Sequence, residues 1–340
     1  MGMKIVRGLL CALLMAGTLA PGQNAPLVVR VGYFPNITHA QALAGRQNGW
    51  FDKALAPQAR VEWKAFHAGP SIIEALFAGE LDLAYVGPSP AITGYLRSQG
   101  QALRIIAGAT SGGAALVVRS DSGIRKPEDF HGKRIASPQF GNTQDVALRA
   151  WMEKHGLKPR EKGGDVQVVP VANPDQLTLF LRKQLDASWA PEPWASRLIH
   201  DGNGRLFLDE RDEWPEGRFA AALLIVARKF LDEHPDTVKQ WLRAHVEVTQ
   251  WINQNPARSR QMINAELAHE VEKPLSNAVL QDAFSRLQAT YDPMRDSILV
   301  SARRAADLGL LGIKQPDVSG ILDLTILNSV LAEKRSKPIQ

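Results

Sequence analysis

The sequence predicts an α/β protein with two lobes, and an internal repeat is the first observation behind this prediction. Residues 69–91 (GPSIIEALFAGELDLAYVGPSPA) and 173–195 (NPDQLTLFLRKQLDASWAPEPWA) both run from a proline-led helix through Leu-Asp into a short apolar strand that stops at Pro-x-Pro. Ligands of open α/β sheets bind beyond the carboxyl ends of strands, where helix N-termini expose free N–H groups. The repeat therefore predicts two sheets whose equivalent loops face each other across a cleft.

Chain length and the alternation of apolar segments are the second observation. At 340 residues the chain exceeds what one compact core usually serves, which favours two domains or one bilobed unit. Strands and helices of ordinary length alternate, and the first series consists of predicted strands at 27–33, 61–66, 81–86 and 103–109 and helices at 40–48, 71–78 and 91–99. This alternation predicts a parallel sheet covered by helices on both faces.

Two further apolar strands predict how the chain passes between the lobes. Residues 114–119 leave the first lobe after the glycine pair Gly112-Gly113, and residues 220–227 are placed to cross back. From residue 235 onward the apolar residues recur at helical spacing. The predicted organisation is a signal peptide at 1–25, lobe 1 at 26–113 and 219–340, and lobe 2 at 114–218, with two hinge strands between the lobes.

The N-terminus is typical of a secretion signal. Lys4 and Arg7 form a positive segment, residues 8–16 are apolar, and small residues up to position 25 offer a cleavage site. The apolar run is too short for a permanent anchor, and no later stretch approaches the ~20 apolar residues of a membrane span. We therefore expect a periplasmic mature protein without a transmembrane segment.

Cysteine content and charge exclude several kinds of site. Cys11, the only cysteine, lies inside the apolar run, so the mature chain has neither a cysteine nucleophile nor a thiolate metal site. The formal charge of +5 falls to +3 when Lys4 and Arg7 are removed, because 5 − 2 leaves 3. Such a mild excess without a long basic run suits a small anionic ligand and is weak evidence for nucleic acid. We predict no nucleic-acid partner, no metal and no cofactor.

Five segments carry a resemblance to a known family: GYFPNITHAQAL, LDLAYVGPSPA, SGGAALVVRS, GKRIASPQFGNTQDVALRAW and DASWAPEPWASRL. They resemble the periplasmic substrate-binding proteins of ABC importers, in the branch that takes up aliphatic sulfonates, taurine, nitrate and related small molecules. The resemblance implies the type II periplasmic-binding-protein fold, with two α/β lobes joined by two hinge strands. It also implies a small anionic or zwitterionic ligand trapped between the lobes, delivery to an ABC permease in the inner membrane, and no catalysis.

The first lobe supplies candidate ligand-binding residues at the loops that start its helices. Thr38 and His39, with Asn36, lie where a hydroxyl, an amide and a helix N-terminus could receive an oxyanion, and the resembled family commonly uses this loop. The alternative is a capping role for Thr38 and a solvent position for His39. Ser89 follows Gly87 and is flanked by prolines that stiffen the loop and limit the entropy lost on binding. Its alternative is an ordinary helix cap.

Three further first-lobe residues are weaker candidates. Ser71 lies at another helix start. Ser111 and Gly112 end the last strand of this lobe, where glycine permits close backbone approach to a ligand or a change of φ during closure. Ligand binding and a hinge role are both open for this pair.

The second lobe offers an opposing set. Asn142 and Thr143 open the helix at 144–154 and match the first-lobe loop by position, with simple capping as the alternative. Glu192 repels an anion, so it would meet a cationic or hydroxylated end of the ligand and favour an amino-bearing compound; otherwise it points outward or pairs with an arginine. Trp189 could form an apolar wall, although tryptophan in this setting also fits the core.

The sequence leaves other functions open beside the leading hypothesis of an aliphatic sulfonate- or taurine-binding protein. One alternative is a binding protein for nitrate, bicarbonate or a pyrimidine precursor, and another is a sensor domain. A third is an enzyme on the same fold, such as a desulfinase or a pyrimidine-precursor synthase. The desulfinases that this loop resembles use a cysteine in it, whereas residues 34–38 read FPNIT, so the nucleophile is missing.

Overall fold

The structure is a computed structural model that describes residues 25–270 and 274–340. The predicted signal peptide, apart from Ala25, lies outside the described residues. The described part of the chain contains eleven strands: β1 Leu27–Tyr33, β2 Ala59–Ala65, β3 Leu83–Val86, β4 Leu103–Gly112, β5 Ala114–Arg119, β6 Arg134–Ser137, β7 Gln167–Pro170, β8 Ala187–Pro191, β9 Gly204–Asp209, β10 Ala220–Ala227 and β11 Leu287–Ala289.

The strands form two sheets, and both are mixed rather than parallel. The first sheet has the order β11-β4-β10-β3-β1-β2, and the second has the order β7-β6-β8-β5-β9. β1 pairs in parallel with β2 and β3, and β6 does so with β7 and β8. β10 and β11 run antiparallel to their neighbours, as does β5. The prediction of a parallel sheet is wrong at these strands, because β5 and β10 each enter from the other sheet.

Helices cover both sheets. They are α1 Ala40–Gln47, α2 Trp50–Leu55, α3 Gly69–Phe77, α4 Pro88–Arg97, α5 Thr143–Lys154, α6 Asn173–Leu181, α7 Trp194–His200, α8 Arg228–Glu233, α9 Pro235–Gln254, α10 Pro256–Glu270, α11 Asn277–Ser285, α12 Arg295–Asp307 and α13 Thr325–Glu333. Sequence reasoning missed α2, α8 and the short strand β11. It started α4 three residues late, because proline is tolerated in the first turn of a helix.

Each sheet is buried on both faces, which fixes the loops at its edges. One face of the first sheet packs against α1, α9 and α10, and the other against α3, α4 and α12, around residues such as Val31, Leu43, Trp241, Ile72, Ile92 and Ile298. The second sheet is covered by α5 on one face and by α6 and α7 on the other, around Leu116, Leu148, Trp189, Val117, Phe180 and Leu198. Close packing of this kind holds the strand ends in place.

The aspartate of the internal repeat accepts the same kind of hydrogen bond, from an arginine backbone N–H, in each sheet. Asp82 precedes β3, and its Oδ2 accepts hydrogen bonds from the backbone N–H and the Nε of Arg30 on β1, at 2.8 and 3.0 Å. Asp186 precedes β8, and its Oδ2 accepts from the backbone N–H of Arg134 on β6 at 2.9 Å. The second pair lies 104 residues after the first, since 134 − 30 and 186 − 82 both give 104. The repeated aspartate therefore joins the third strand of each unit to its first strand.

The chain crosses from the first sheet to the second at two consecutive glycines. Gly112 and Gly113 have φ of +72° and +89°, a region that glycine enters without steric cost. A Cβ at Gly112 would lie 2.4 Å from the carbonyl oxygen of Arg286. The return crossing runs through residues 210–219 into β10. A side chain at Gly112 would require the backbone to move, and one at Gly113 would be strained by its φ and would crowd the side chains of Leu287 and Thr38.

The aspartate link predicts a stability effect. Asp82→Ala removes a buried carboxylate that accepts three bonds from Arg30, two of them charge-assisted, and leaves a strand N–H without its acceptor. We expect the free energy of unfolding in urea to fall by about 2 kcal/mol. Asp186→Ala should show a loss of similar size, whereas Glu74→Ala, at an exposed ion pair on α3, should change stability by less than about 0.5 kcal/mol. An Asp82→Ala value as small as the Glu74→Ala value would contradict the structural role of the repeat.

Candidate functional site

The ends of five helical segments meet at one cavity between the two sheets. The cavity volume is about 20 Å³, which is room for little more than one water molecule. Its walls come from both sheets and consist of Phe34, Asn36, Thr38, His39, His67, Gly69, Gly87, Pro90, Asn142, Thr143, Gln144, Asn173, Pro191 and Ala221. The sheets therefore close tightly on each other at this point.

Helix N-termini supply the electrostatic character of the cavity. α3 begins at Gly69, α4 follows Gly87, α5 begins at Thr143 and α6 begins at Asn173, while the 3₁₀ turn Ile37–His39 leads into α1. The first N–H groups of a helix have no partner within it, and the aligned peptide dipoles place partial positive charge there. Their convergence from both sheets favours a negatively charged group in the cavity.

The polar side chains of the first-sheet loop present donors because their acceptors are already used. Asn36 Oδ1 accepts from the indole Nε1 of Trp194 at 2.9 Å, so its Nδ2 is the group left for a ligand. Nδ1 of His39 accepts the backbone N–H of Phe34 at 3.2 Å. Both side chains are almost fully buried, at 5% and 2% exposure.

His39 is a neutral donor. Burial lowers the pKa of His39 to about 3, so its imidazole carries no charge at neutral pH. Because Nδ1 accepts a hydrogen bond, the single ring proton belongs on Nε2. The ring stacks against Phe34, with ring centroids 4.5 Å apart, which fixes its orientation. His39 can therefore donate from Nε2 into the cavity.

In the second-sheet residues, too, the side-chain acceptors are already used. Asn142 Oδ1 caps α5 by accepting the backbone N–H of Gln144 at 3.1 Å, and Asn173 Oδ1 accepts from Gln176 at 3.4 Å. Within residues 25–270 and 274–340, the Nδ2 groups of Asn36, Asn142 and Asn173 donate no hydrogen bond to another residue. Among the described residues that line the cavity there is no Lys, Arg, Asp or Glu. The side chains around the cavity thus offer mainly neutral N–H and O–H donors.

Ser89 and Thr143 bring the two sheets into contact. The backbone N–H of Ser89 lies 3.4 Å from Oγ1 of Thr143 and donates to it. Ser89 is 2% exposed, and its Oγ has no hydrogen-bond partner in the described part of the chain. A Cβ at Gly87 would lie 2.2 Å from the same Oγ1, so only glycine permits this approach. Ser89 is not itself one of the residues that line the cavity, but it lies between two that do, Gly87 and Pro90. A buried hydroxyl without a partner is a group that a ligand oxygen could satisfy.

Glu192 belongs to a second contact between the sheets and does not line the cavity. Its Oε1 lies 3.0 Å from Nη1 of Arg286, and its Oε2 accepts the backbone N–H of Ser196 at 3.1 Å. Burial raises the pKa of Glu192, and the positive charge of Arg286 opposes that rise. Its carbonyl oxygen accepts from the N–H of Ile37 at 3.0 Å. The arginine pairing that the sequence left open is the one found.

Matching the two Pro-x-Pro motifs pairs Glu192 with Ser89, but the strand register places Glu192 one residue away from that position. Strand register equates Leu83 with Ala187, which is again a spacing of 104. By that register Glu192 corresponds to Pro88, not to Ser89. The Pro-x-Pro match is therefore shifted by one residue, and the side chains of the two loops point in different directions.

The structure places four other predicted residues away from the cavity walls. Ser71 is exposed in the first turn of α3. Ser111 and Gly112 lie at the end of β4 and pair with β10 and β11, which fits the crossing rather than the cavity. Trp189 is 1% exposed in the core of the second sheet, and its Nε1 donates to Glu210 at 2.7 Å. The core alternative for Trp189 is the one observed.

Sequence reasoning missed several residues that line the cavity, although the repeat contained the signal for two of them. Gly69 and Asn173 occupy equivalent positions of the repeat, and so do Gly87 and Pro191. All four lie at the cavity, yet only Gly87 was predicted. Gln144 had no such signal, because an amide one residue inside a helix is ordinary.

Metal binding and membrane insertion find no support in the described residues. Within them no group of three or more His, Cys, Asp or Glu side chains is arranged to hold a metal ion. No helix in residues 25–270 or 274–340 combines the length and apolar character needed to cross a membrane.

Comparison with curated proteins identifies relatives with a binding function. A taurine-binding periplasmic protein of Escherichia coli (strain K12) is 29% identical over 198 residues, which span 58% of this chain and 59% of that protein. A putative binding protein of Brucella abortus (strain 2308) is 30% identical over 251 residues, 73% of each chain. A putative aliphatic sulfonates-binding protein of Bacillus subtilis (strain 168) is 24% identical over 314 residues, 91% of this chain and 89% of that protein.

Solved structures share the fold. The alkanesulfonate-binding protein SsuA from Xanthomonas axonopodis pv. citri, solved with bound MOPS, has a TM-score of 0.72 at 23% identity and covers 88% of this chain and 99% of its own. The periplasmic nitrate-binding protein NrtA from Synechocystis PCC 6803 has a TM-score of 0.75 at 15% identity and covers 91% and 90%. These matches confirm the predicted periplasmic-binding-protein fold.

The family follows from the sequence match. The NMT1-like family matches residues 22–267, which is more than half of the chain. The relatives and the structural neighbours are substrate-binding proteins, so the enzyme alternative is not supported. This chain belongs to the NMT1-like family.

Proposed function

We propose that this protein is the extracytoplasmic binding component of an ABC importer and captures a small organic oxyanion, an aliphatic sulfonate or a taurine-like compound. The observation that carries the proposal is the donor character of the cavity. The acceptor atoms of Asn36, His39, Asn142 and Asn173 are used within the protein, so their donors remain for a ligand. A sulfonate offers three acceptor oxygens and one negative charge.

Neutral donors are sufficient to hold such a group. Hydrogen bonds to an ionised acceptor are about twice as strong as neutral ones. Helix N-termini add favourable dipoles without a buried counter-charge. A few such bonds in a cleft that excludes water correspond to roughly −8 to −10 kcal/mol, a dissociation constant near or below the micromolar range.

Entry of the ligand requires the two lobes to separate. We place the moving units at residues 26–113 with 219–340 and at residues 114–218, with rotation about Gly112-Gly113 and the return crossing. A sulfonate group is larger than one water molecule, so the cavity of about 20 Å³ must widen to admit it. Ligand oxygens that bond Asn36 and His39 on one side and Asn142 and Thr143 on the other would then favour closure.

Delivery to a permease in the inner membrane completes the proposed role. The names of the taurine-binding and sulfonate-binding relatives support it. Residues 1–25 would direct export to the periplasm, where the closed, ligand-bound form would be the one that the permease recognises.

A ligand panel tests the proposed function. We expect methanesulfonate, ethanesulfonate or another alkanesulfonate to raise the melting temperature of the mature protein, because a ligand at 100 times its dissociation constant adds about 2.7 kcal/mol of stability. Nitrate, bicarbonate, phosphonates and pyrimidine precursors complete the panel. A response to one of these with silence across all sulfonates would overturn the ligand assignment. Silence across the whole panel would overturn the binding function.

Substitutions at the facing helix starts test the site. Thr143→Ala removes a hydroxyl from the cavity wall, and Ser89→Ala removes the buried, unpartnered hydroxyl of the facing helix start. We expect each to weaken sulfonate binding by ~1 kcal/mol or more in calorimetric titrations. Ser71→Ala is the matched control, since Ser71 also lies in the first turn of a helix but is exposed and away from the cavity. Unchanged affinity in both site variants would refute the assignment of two facing sets of donors.

The pH dependence of binding tests the neutral imidazole. Burial lowers the pKa of His39 to about 3, so protonation of this ring contributes nothing above pH 5. His67 also lines the cavity, and His67→Gln removes that second imidazole. In His67→Gln we expect the sulfonate dissociation constant to change less than about two-fold between pH 5.5 and 8. If binding required a charged His39, affinity would rise as the pH falls, by up to about ten-fold per pH unit.

A further inference from the structure

We infer that the site selects an oxyanion without an ammonium group, so that taurine is a poorer ligand than its uncharged-tail analogues. This inference rests on the proposed function and narrows it. A bound amine would need a carboxylate, and Glu192 and Asp145 are the carboxylates that directly follow lining residues, Pro191 and Gln144, in the sequence.

Glu192 is not available to an amine. It is fully buried, and its two oxygens are bonded to Arg286 and to the backbone N–H of Ser196. Nη1 of Arg286 also donates to Ser196 Oγ at 3.1 Å, and its Nη2 lies 2.6 Å from Asp282. The carboxylate is therefore held from two sides, within a contact between the sheets that lies outside the cavity walls.

Asp145 is equally committed. It lies in the first turn of α5, two residues beyond Thr143, and has no exposed surface. Oδ1 accepts from Ser137 Oγ at 2.8 Å. Oδ2 accepts from the backbone N–H of Gly141 at 3.0 Å and from Nε of Arg149 at 2.9 Å. Both carboxylate oxygens are satisfied within the second lobe, so Asp145 stabilises the loop that presents Asn142 rather than facing a ligand.

The remaining groups at the cavity disfavour a cation. An ammonium group needs hydrogen-bond acceptors, yet the side-chain acceptors of Asn36, His39, Asn142 and Asn173 already receive hydrogen bonds within the protein. The other side-chain acceptors at the walls belong to Thr38, Thr143, Gln144 and His67, and none of them is a carboxylate. The helix N-termini that favour an anion repel a positive charge by the same dipoles. Burying a charge without a partner is costly, so a zwitterion must keep its amine in solvent or lose affinity.

Isethionate and taurine form the decisive pair, because they differ only in a hydroxyl against an ammonium group at the end of the same ethanesulfonate. We expect isethionate and ethanesulfonate to bind the full mature chain at least ten-fold more tightly than taurine in calorimetric titrations at pH 7. Taurine binding as tightly as isethionate, or more tightly, would overturn the inference and leave the proposed function intact. If none of the three binds, the inference fails, and the ligand panel described above decides whether the proposed function fails as well.

Two variants separate the inference from a general loss of binding. Glu192→Gln should leave the ratio of isethionate to taurine affinity unchanged, whatever it does to closure; a selective loss of taurine would show that Glu192 contacts the amine. Asn173→Asp places a carboxylate at the cavity wall and retains an acceptor for Gln176. We expect Asn173→Asp to weaken isethionate binding and to reduce the ratio of isethionate to taurine affinity. An unchanged ratio would contradict the inference that taurine binds poorly because the cavity wall has no carboxylate.

Discussion

The structure depends on one constraint, which is that hydrogen-bond donors buried between two sheets need acceptors. Helix N-termini from both sheets meet at a cavity where the acceptor atoms of Asn36, His39, Asn142 and Asn173 already receive hydrogen bonds from neighbouring residues. Ser89 Oγ is buried without any partner among the described residues. A buried polar group in that condition costs of order 1–3 kcal/mol. Under the proposed function, an oxyanion that reaches this hydroxyl would remove the cost, so the groups that bind the ligand would also couple binding to closure.

Two contacts of different strength join the two sheets. Near the cavity, the donation from Ser89 to Thr143 Oγ1 is long at 3.4 Å and can give way to a ligand oxygen. Farther from it, the carbonyl of Glu192 accepts from Ile37 at 3.0 Å while its carboxylate pairs with Arg286. Arg286 immediately precedes β11, which pairs with β4 next to Gly112. In the proposed closure, the charged contact is thus attached to the crossing, where rotation would displace atoms least, and the weak contact lies where the sheets would have to part.

Sequence patterns predicted the fold well because it is determined by strong local signals. β1, β5 and β10 have the predicted bounds, since apolar runs of β-branched residues flanked by turn residues have few alternatives. Strand direction was not predictable in the same way, because β5 and β10 reverse only through the crossing between sheets. At the site, Thr38, His39 and Thr143 could be predicted from helix starts after strands. Glu192 and Trp189 could not, because their partners Arg286 and Glu210 are distant or unmarked in the sequence.

The two units of the repeat place their loops alike, but the residues in those loops make different contacts. Asp82 and Asp186 fix the third strand to the first in each sheet, so the loops that follow β3 and β8 reach the cavity from equivalent positions. In one loop the helix starts at Pro88, directly after the strand, and Ser89 is brought to Thr143. In the other the helix starts only at Trp194, which leaves Glu192 in the turn before it, bonded to Ser196 in the first turn of α7. After equivalent strands, α7 thus starts two residues later than the position that matches the start of α4, and in the proposed function one loop supplies ligand donors while the other supports closure.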